Sequence, residues 1–169
     1  MARVAWNESA MQSHLFSWID GMALEYPFMR LAFHPANGGH RHISTAERLK
    51  REGVRPGVPD VMIPVAICDS DGDGHLYHGM ALELKVGNNK LTHTQAWYMN
   101  ELVNRGWKCV VVRDFYEVAA WHIARAYDMP YVLADYAAVN QSKWSGVMNN
   151  WTKAQWDEAT KGGYDVRNG

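Results

Sequence analysis

The amino-acid sequence predicts an α/β fold in which a mixed β-sheet is flanked by helices. Residues 81–86 alternate between faces in the manner of a strand, with apolar side chains on one face. A helical stretch (93–105), a strand (107–113) and a further helix (114–128) follow, and this alternation indicates a right-handed crossover between parallel strands. With 169 residues, of which 47% are hydrophobic, the chain can bury the core of one domain.

The elements before this region are predicted from periodicity and from helix-end signals. An amphipathic helix is expected over 7–24, and a short helix is expected to begin at Ser44, which forms a capping box with Glu47. The remaining predicted strands span 28–34, 60–66 and 76–86.

The bulk composition favours an ordinary cytoplasmic protein. The sequence has no apolar run of membrane-spanning length and no basic-then-apolar leader. Cys68 and Cys109 lack the spacing of metal ligands and are expected to be buried free thiols. The net charge of −1 is weak support for nucleic-acid binding. Residues 29–55, however, contain six Arg and Lys against two Glu, so positive charge is concentrated there.

The strongest chemical signal is a pair of acidic residues with a lysine. The first acid ends a turn motif, and the second acid and the lysine follow about two dozen residues later on one predicted strand. A Gly-Val-Pro-Asp motif ends at Asp60, and Glu83 and Lys85 share one strand face. Two carboxylates and a strand carbonyl, that of Leu84, are hard oxygen ligands of the kind Mg²⁺ prefers. A lysine beside them can orient or deprotonate an attacking water. The alternative is an ordinary Pro-Asp turn and an acid and a lysine on a solvated strand face.

Further motifs surround these residues in a fixed order. They are an Asn-Gly-Gly run at 37–39, a short helix at 46–50, Gln95 opening the helix after the acid-x-lysine strand, and a Gly-Trp pair at 106–107. In these motifs the chain resembles the VRR-NUC branch of the PD-(D/E)xK nuclease superfamily. Its members carry a Gly-x-Pro-Asp, a Glu-x-Lys and a Gln opening the next helix. The resemblance covers roughly residues 7–126.

The resemblance implies a restriction-endonuclease-like fold and a DNA endonuclease that depends on Mg²⁺ or Mn²⁺. The nuclease domain is expected over 1–128, followed by a C-terminal extension over 129–169 that packs on the domain or on a partner subunit. Small stand-alone members from phages and bacteria are typically homodimers that cut branched DNA such as four-way junctions, and both properties are expected here by resemblance. Cleavage of flap, nicked or plain duplex DNA, or a non-catalytic nucleic-acid-binding module of the same fold, stays open.

Two further catalytic residues are implied by the resemblance, and each has a structural alternative. The family places the equivalent of Gln95 in the active centre, whereas Thr92 and Gln95 also fit a capping box. The family adds an acid from the first helix, for which Glu8 is the candidate and a possible third metal ligand. Glu8 is also explained as a first-turn glutamate favoured by the helix dipole.

The basic region and one lysine near the predicted site are expected to contact DNA. The predicted contacts are Asn37, Arg41, His42, Arg48, Lys50, Arg51, Arg55 and Lys90.

Two other sequence features invite functional readings that we do not prefer. The run from Asp69 to Gly74 copies the start of an EF-hand loop, but Met80 stands where the bidentate Glu is required, so a hairpin turn is expected. The aromatic residues of the tail are expected to dock it onto the domain or a second subunit, with stacking on unpaired bases as the alternative. They are Trp144, Trp151 and Trp156.

Overall fold

The computed structural model describes residues 7–35, 43–68, 74–130 and 146–164. Its main sheet has the strand order β1 (Val61–Ile63), β4 (Met80–Lys85), β5 (Lys108–Arg113) and β6 (Gly146–Val147). β1 is antiparallel to β4, β5 is parallel to β4, and β6 is antiparallel to β5. β2 (Ile67–Cys68) and β3 (Leu76–Tyr77) form a separate antiparallel ribbon. The predicted mixed sheet is confirmed.

Helices cover both faces of the main sheet. On one face, α1 (Glu8–Met22) and α4 (Tyr116–Ala126) pack against the apolar side chains of β4 and β5. On the other face, α3 (His93–Asn104) packs through Ala96 and Met99. α3 is the crossover between the parallel strands β4 and β5, as the sequence predicted. Alternation along β4 therefore separates two buried surfaces and not a core face from a solvated one.

The first helix follows directly from its sequence. Met11, Leu15 and Ile19 recur at a spacing of four and are buried against the sheet. The Asn7 side chain caps the helix by accepting a hydrogen bond from the Ala10 N–H at 2.7 Å. This arrangement holds the first turn of α1, which carries Glu8, next to the sheet.

Several element predictions before residue 80 are wrong. The strand expected over 28–34 is a 3₁₀ helix (Pro27–Leu31) with Pro27 at its start, where a fixed φ and a missing N–H are tolerated. Only Phe33 makes a β-bridge there, to Met62. The second helix, α2 (Ile43–Arg51), begins before Ser44, so Ser44 lies within the helix and is not its N-cap.

Two more corrections concern the ribbon region. The strand expected over 60–66 stops at Ile63, because Pro64 has no N–H with which to extend the ladder. The partner strand is likewise divided into β3 and β4. Cys68 is exposed and Cys109 is buried, so the prediction of two buried thiols is correct only for Cys109. Burial raises the pKa of the Cys109 thiol to about 12.

Residues 146–164 extend the sheet and the α3 layer. β6 is followed by a short 3₁₀ helix (Met148–Asn150) and by α5 (Lys153–Ala159). Trp156 is buried, and its ring centroid lies 5.2 Å from that of Trp151. Trp144 and residues 69–73 of the acidic turn lie outside the described residues. Among the helices that are described, none is long and apolar enough to cross a membrane.

Candidate active site

The pairing of β1 with β4 brings the predicted acids together. Val61 lies opposite Leu82 in this antiparallel pair, and extending the register by one residue places Asp60 opposite Glu83. Side chains directly opposite one another in such a pair lie on the same face. Sheet topology therefore gathers two acids that are far apart in sequence.

The Asp60 side chain continues the hydrogen-bond ladder at the start of β1. Its Oδ2 accepts a hydrogen bond from the Leu84 N–H at 2.8 Å. Its backbone carbonyl accepts from His34 Nδ1 at 2.7 Å, which requires a proton on that nitrogen. Burial raises the pKa of Asp60, and the Leu84 N–H and the charge of Lys85 oppose this rise. The second carboxylate oxygen, Oδ1, makes no hydrogen bond to the described residues.

Glu83 is fully buried. Its Oε1 accepts hydrogen bonds from Lys85 Nζ at 2.6 Å and from Gln95 Nε2 at 2.5 Å. Its Oε2 is buried and has no hydrogen-bond partner among the described residues. Burial, with the nearby charge of Asp60, raises the pKa of Glu83 to about 8 although Lys85 opposes the shift. A buried carboxylate oxygen without a partner is costly, and a bound cation would satisfy it.

Lys85 is held in its charged form. Its side chain is 6% exposed, and Nζ lies 2.6 Å from Glu83 Oε1 and 3.9 Å from Glu8 Oε1. Burial acts to lower the pKa of Lys85, but the neighbouring carboxylates outweigh it and the pKa is raised. A charged ammonium group donates hydrogen bonds and cannot accept a proton. Donating a hydrogen bond to a water fits this state, and deprotonation of the water stays a prediction.

Glu8 lies at the Lys85 side of the site. Besides the contact with Lys85, its Oε1 accepts a hydrogen bond from Asn89 Nδ2 at 3.3 Å. Glu8 is partly exposed, with 42% of its side chain accessible. The structure thus places this acid beside the lysine, at the mouth of the site.

Gln95 forms the predicted capping box and also contacts Glu83. Its Oε1 accepts from the Thr92 N–H at 2.9 Å and the Thr92 hydroxyl accepts from the Gln95 N–H, which completes the capping box of α3. Because the amide oxygen faces Thr92, the amide nitrogen faces Glu83 and donates to its Oε1. One side chain therefore caps the helix and orients the buried acid.

Gly57 allows the loop that leads to Asp60 to lie close to α3. Its φ is +80°, and a Cβ at this position would lie 2.4 Å from the carbonyl oxygen of Thr94. Only glycine adopts this φ without strain, and no side chain fits against the backbone of Thr94. The glycine of the Gly-x-Pro-Asp motif therefore sets the spacing between Asp60 and the helix that carries Gln95.

The donor set suits a small hard cation. Asp60 Oδ1 and Glu83 Oε2 are carboxylate oxygens without hydrogen bonds to the described residues, and the Leu84 carbonyl follows directly on β4. Mg²⁺ and Mn²⁺ prefer such oxygens and typically retain several waters. Within the described ranges, no three His, Cys, Asp or Glu side chains gather closely enough to hold a metal ion. Water and substrate oxygens would therefore have to complete the coordination.

Three of the predicted DNA contacts lie together on α2. Arg48, Lys50 and Arg51 are exposed on α2, and Arg55 follows in the next loop. Arg48 pairs with Glu52 at 3.1 Å, an exposed ion pair of low strength that can exchange for a phosphate. Lys90 is exposed near the site. The remaining predicted contacts, Asn37, Arg41 and His42, lie outside the described residues.

Three residues of the site were not predicted. They are His34, which contacts the Asp60 carbonyl, Asn89, which contacts Glu8, and Arg113. Arg113 is 2% exposed and lies opposite Lys85 in the β4–β5 pair, and its Nη1 donates to the Asn89 carbonyl at 2.6 Å. An arginine that ends an otherwise apolar strand is a detectable signal, because a buried charge requires partners. The other two contacts leave no local signal.

Comparison with known proteins supports the fold. A solved structure described as a VRR_NUC domain protein is similar to this chain with a TM-score of 0.56 and 23% sequence identity. The similarity covers 73% of this chain and 89% of that one. The two chains share a fold. No family model and no curated protein matches the sequence. The VRR-NUC fold implied by the sequence resemblance is thus supported at the level of architecture.

Proposed function

We propose that this protein is a metal-dependent DNA endonuclease that hydrolyses phosphodiester bonds. The observation that carries the proposal is the buried Glu83, whose Oε2 has no partner in the described part of the chain and which lies opposite Asp60 and beside Lys85. A purely structural ion pair does not require a second acid facing the first. Two facing acids and a charged lysine suit the transfer of a phosphoryl group between oxygens.

Each residue has a definable task in this reaction. Asp60 and Glu83, with the Leu84 carbonyl, would hold Mg²⁺ or Mn²⁺. When bound, the ion would neutralise charge on the phosphate oxygens and lower the pKa of a water. Lys85 would donate a hydrogen bond to the attacking water and offset developing negative charge. Gln95 would keep Glu83 oriented, since its amide nitrogen is fixed by the capping box.

We place Glu8 in the site as the third acid, acting either on the metal or on Lys85. Glu8→Gln retains size and helix propensity and can still accept a hydrogen bond from Asn89. Reduced cleavage with an unchanged melting temperature would support this role. Full activity in Glu8→Gln would return Glu8 to the role of a first-turn residue favoured by the helix dipole.

The preferred substrate in this proposal is branched DNA such as a four-way junction, cut by a homodimer in the cytoplasm. Support comes from the VRR-NUC resemblance and from symmetry, because paired cuts across a junction require two centres related by a two-fold axis. The exposed Arg48, Lys50 and Arg51 of α2 supply charge for the phosphate backbone.

A panel of end-labelled linear, nicked, flap and four-way DNA substrates, incubated with Mg²⁺, Mn²⁺ or EDTA, tests the proposal. We expect metal-dependent cleavage with preference for the four-way junction, and loss of cleavage in Glu83→Gln. Equal cleavage of plain duplex would replace the junction preference with a general nuclease activity. DNA binding without cleavage of any substrate would favour a non-catalytic binding module. Light scattering after size exclusion measures the oligomeric state.

A further inference from the structure

A groove of about 550 Å³ opens on the side of α3 that faces away from the sheet. One end of it adjoins the candidate active site around Asp60 and Glu83, here called the acidic site. Arg55 and Pro56 line one side, and Thr94 marks the end nearest the site. Thr94 is also the residue whose backbone Gly57 approaches, and Gln95 beside it contacts Glu83. The groove is therefore continuous with the loop and the helix that build the site.

The groove has an aromatic and cationic lining. Residues of α3 at a spacing of three or four face it, so the lining extends about 16 Å along the helix. They include Trp97, Tyr98, Glu101 and Arg105. The Trp97 side chain is exposed, and its ring lies at 84° to that of Tyr98 with the centroids 6.1 Å apart. An exposed tryptophan at such a position offers a planar surface to a ligand.

The charges of the groove favour an anionic occupant. Glu101 forms an ion pair with Arg105, which neutralises both. Arg55 supplies the excess positive charge, and its Nη1 donates to the Lys50 carbonyl at 3.2 Å, which fixes the position of the exposed guanidinium group. A flat aromatic surface next to an exposed arginine matches the base and the phosphate of a nucleotide. In duplex DNA the base faces are covered by stacking, so the groove suits an unpaired nucleotide.

We propose that this groove binds an unpaired nucleotide of the DNA, with its base stacked on Trp97 and its phosphate beside Arg55. Its use in catalysis rests on the proposed nuclease function, because Thr94 at the end of the groove adjoins Gln95, which contacts Glu83. Selection of an unpaired nucleotide would direct the enzyme to strands that open next to a junction or flap. The binding itself requires neither metal nor cleavage.

Fluorescence anisotropy in EDTA tests the proposal without cleavage. A labelled single-stranded oligonucleotide should bind wild type more tightly than a blunt duplex of the same length. Trp97→Leu should weaken single-strand binding about tenfold, while Trp97→Phe, which keeps an aromatic face, should bind nearly as well as wild type. Trp121→Leu is the matched control, because Trp121 lies on α4 across the sheet. The Trp121→Leu variant should bind the single-stranded oligonucleotide with the affinity of wild type.

Two further measurements support the test where a variant is unstable. A 2-aminopurine base placed next to the branch point should lose fluorescence on binding wild-type protein, as a stacked base does. Arg55→Gln should reduce the slope of log Kd against log salt by about 0.7, the value of one phosphate contact to a single strand.

Three results would overturn the groove assignment: equal affinity of wild type and Trp97→Leu, no preference for single strands, or a dimer that becomes monomeric in Trp97→Leu. The last would identify the groove as an interface between copies of the chain. Failure of the nuclease proposal has a different signature, which is single-strand binding through Trp97 without cleavage by the wild-type protein in Mg²⁺ or Mn²⁺.

Discussion

The pH dependence of metal binding is the sharpest test of the role assigned to Glu83. Burial and the charge of Asp60 raise the pKa of Glu83 to about 8, so a proton competes with the metal for this carboxyl near neutral pH. A divalent cation binds the ionised carboxylate and must displace that proton. Metal binding should therefore tighten as the pH rises and level off above about pH 8.

The expected size of this effect follows from the pKa. With a pKa of about 8, roughly 3% of Glu83 is ionised at about pH 6.5 and roughly 24% at about pH 7.5. The apparent Kd for Mn²⁺ should fall about eightfold across this interval, with close to one proton released per bound ion. Isothermal titration calorimetry in two buffers of different ionisation enthalpy measures both quantities.

Glu83→Gln is the matched control, because it keeps an oxygen acceptor for Lys85 and Gln95 and cannot titrate. It should bind Mn²⁺ weakly and without the eightfold change. Without metal, the raised pKa of Glu83 contributes stability that is complete below the unfolded value of 4.5 and is lost as the pH rises through about 8. At pH values above about 8, the wild-type protein should therefore have a lower melting temperature than Glu83→Gln. A Kd independent of pH between about 6.5 and 7.5 would refute the reasoning.

Substitutions at three other positions separate chemistry from structure. Asp60→Asn keeps an acceptor for the Leu84 N–H and should abolish cleavage with little change in melting temperature. Asp60→Ala removes that acceptor and should lower the free energy of unfolding, measured in urea, by about 1 kcal/mol more. Cleavage by Asp60→Asn at the wild-type rate would contradict the assignment. Gln95→Glu keeps the cap oxygen but sets a second carboxyl against Glu83, so Mn²⁺ binding should shift to higher pH; an unshifted binding profile argues against this contact. Gly57→Ala brings a Cβ to 2.4 Å from the Thr94 carbonyl and should cost about 2 kcal/mol or more of unfolding free energy, and wild-type stability would show that the approach is looser.

Periodicity predicted the first helix and the elements from β4 to α4 well and the region between residues 28 and 79 poorly. From β4 to α4, each element carries its own local signal, and the crossover connects neighbours in sequence. Residues 28–34 are apolar without a decisive period, and the structure there depends on Pro27 and on a single bridge from Phe33 to Met62. Such a bridge joins distant residues, so no local window reveals it.

The candidate site divides in the same way. Asp60, Glu83 and Lys85 are visible in the sequence, because their spacing on strands has chemical meaning. The sequence does not reveal that both faces of β4 are buried. One face is covered by α3 together with residues 146–164, which are distant in sequence. The exceptional burial of Glu83, and hence its raised pKa, depends on that long-range packing.

The contact between Leu91 and the tail bears on how the chain can be divided. The Leu91 N–H donates to the Ala159 carbonyl at 3.0 Å, and the Lys161 N–H donates to the Leu91 carbonyl at 2.8 Å. Leu91 immediately precedes the residue that caps α3, so the tail fixes the start of that helix. A fragment ending near residue 130 would contain every acid and the lysine of the site, yet it would lose this clamp and expose Met99 and Val111 to water. The residues of the candidate site thus end earlier along the chain than the residues that pack around them.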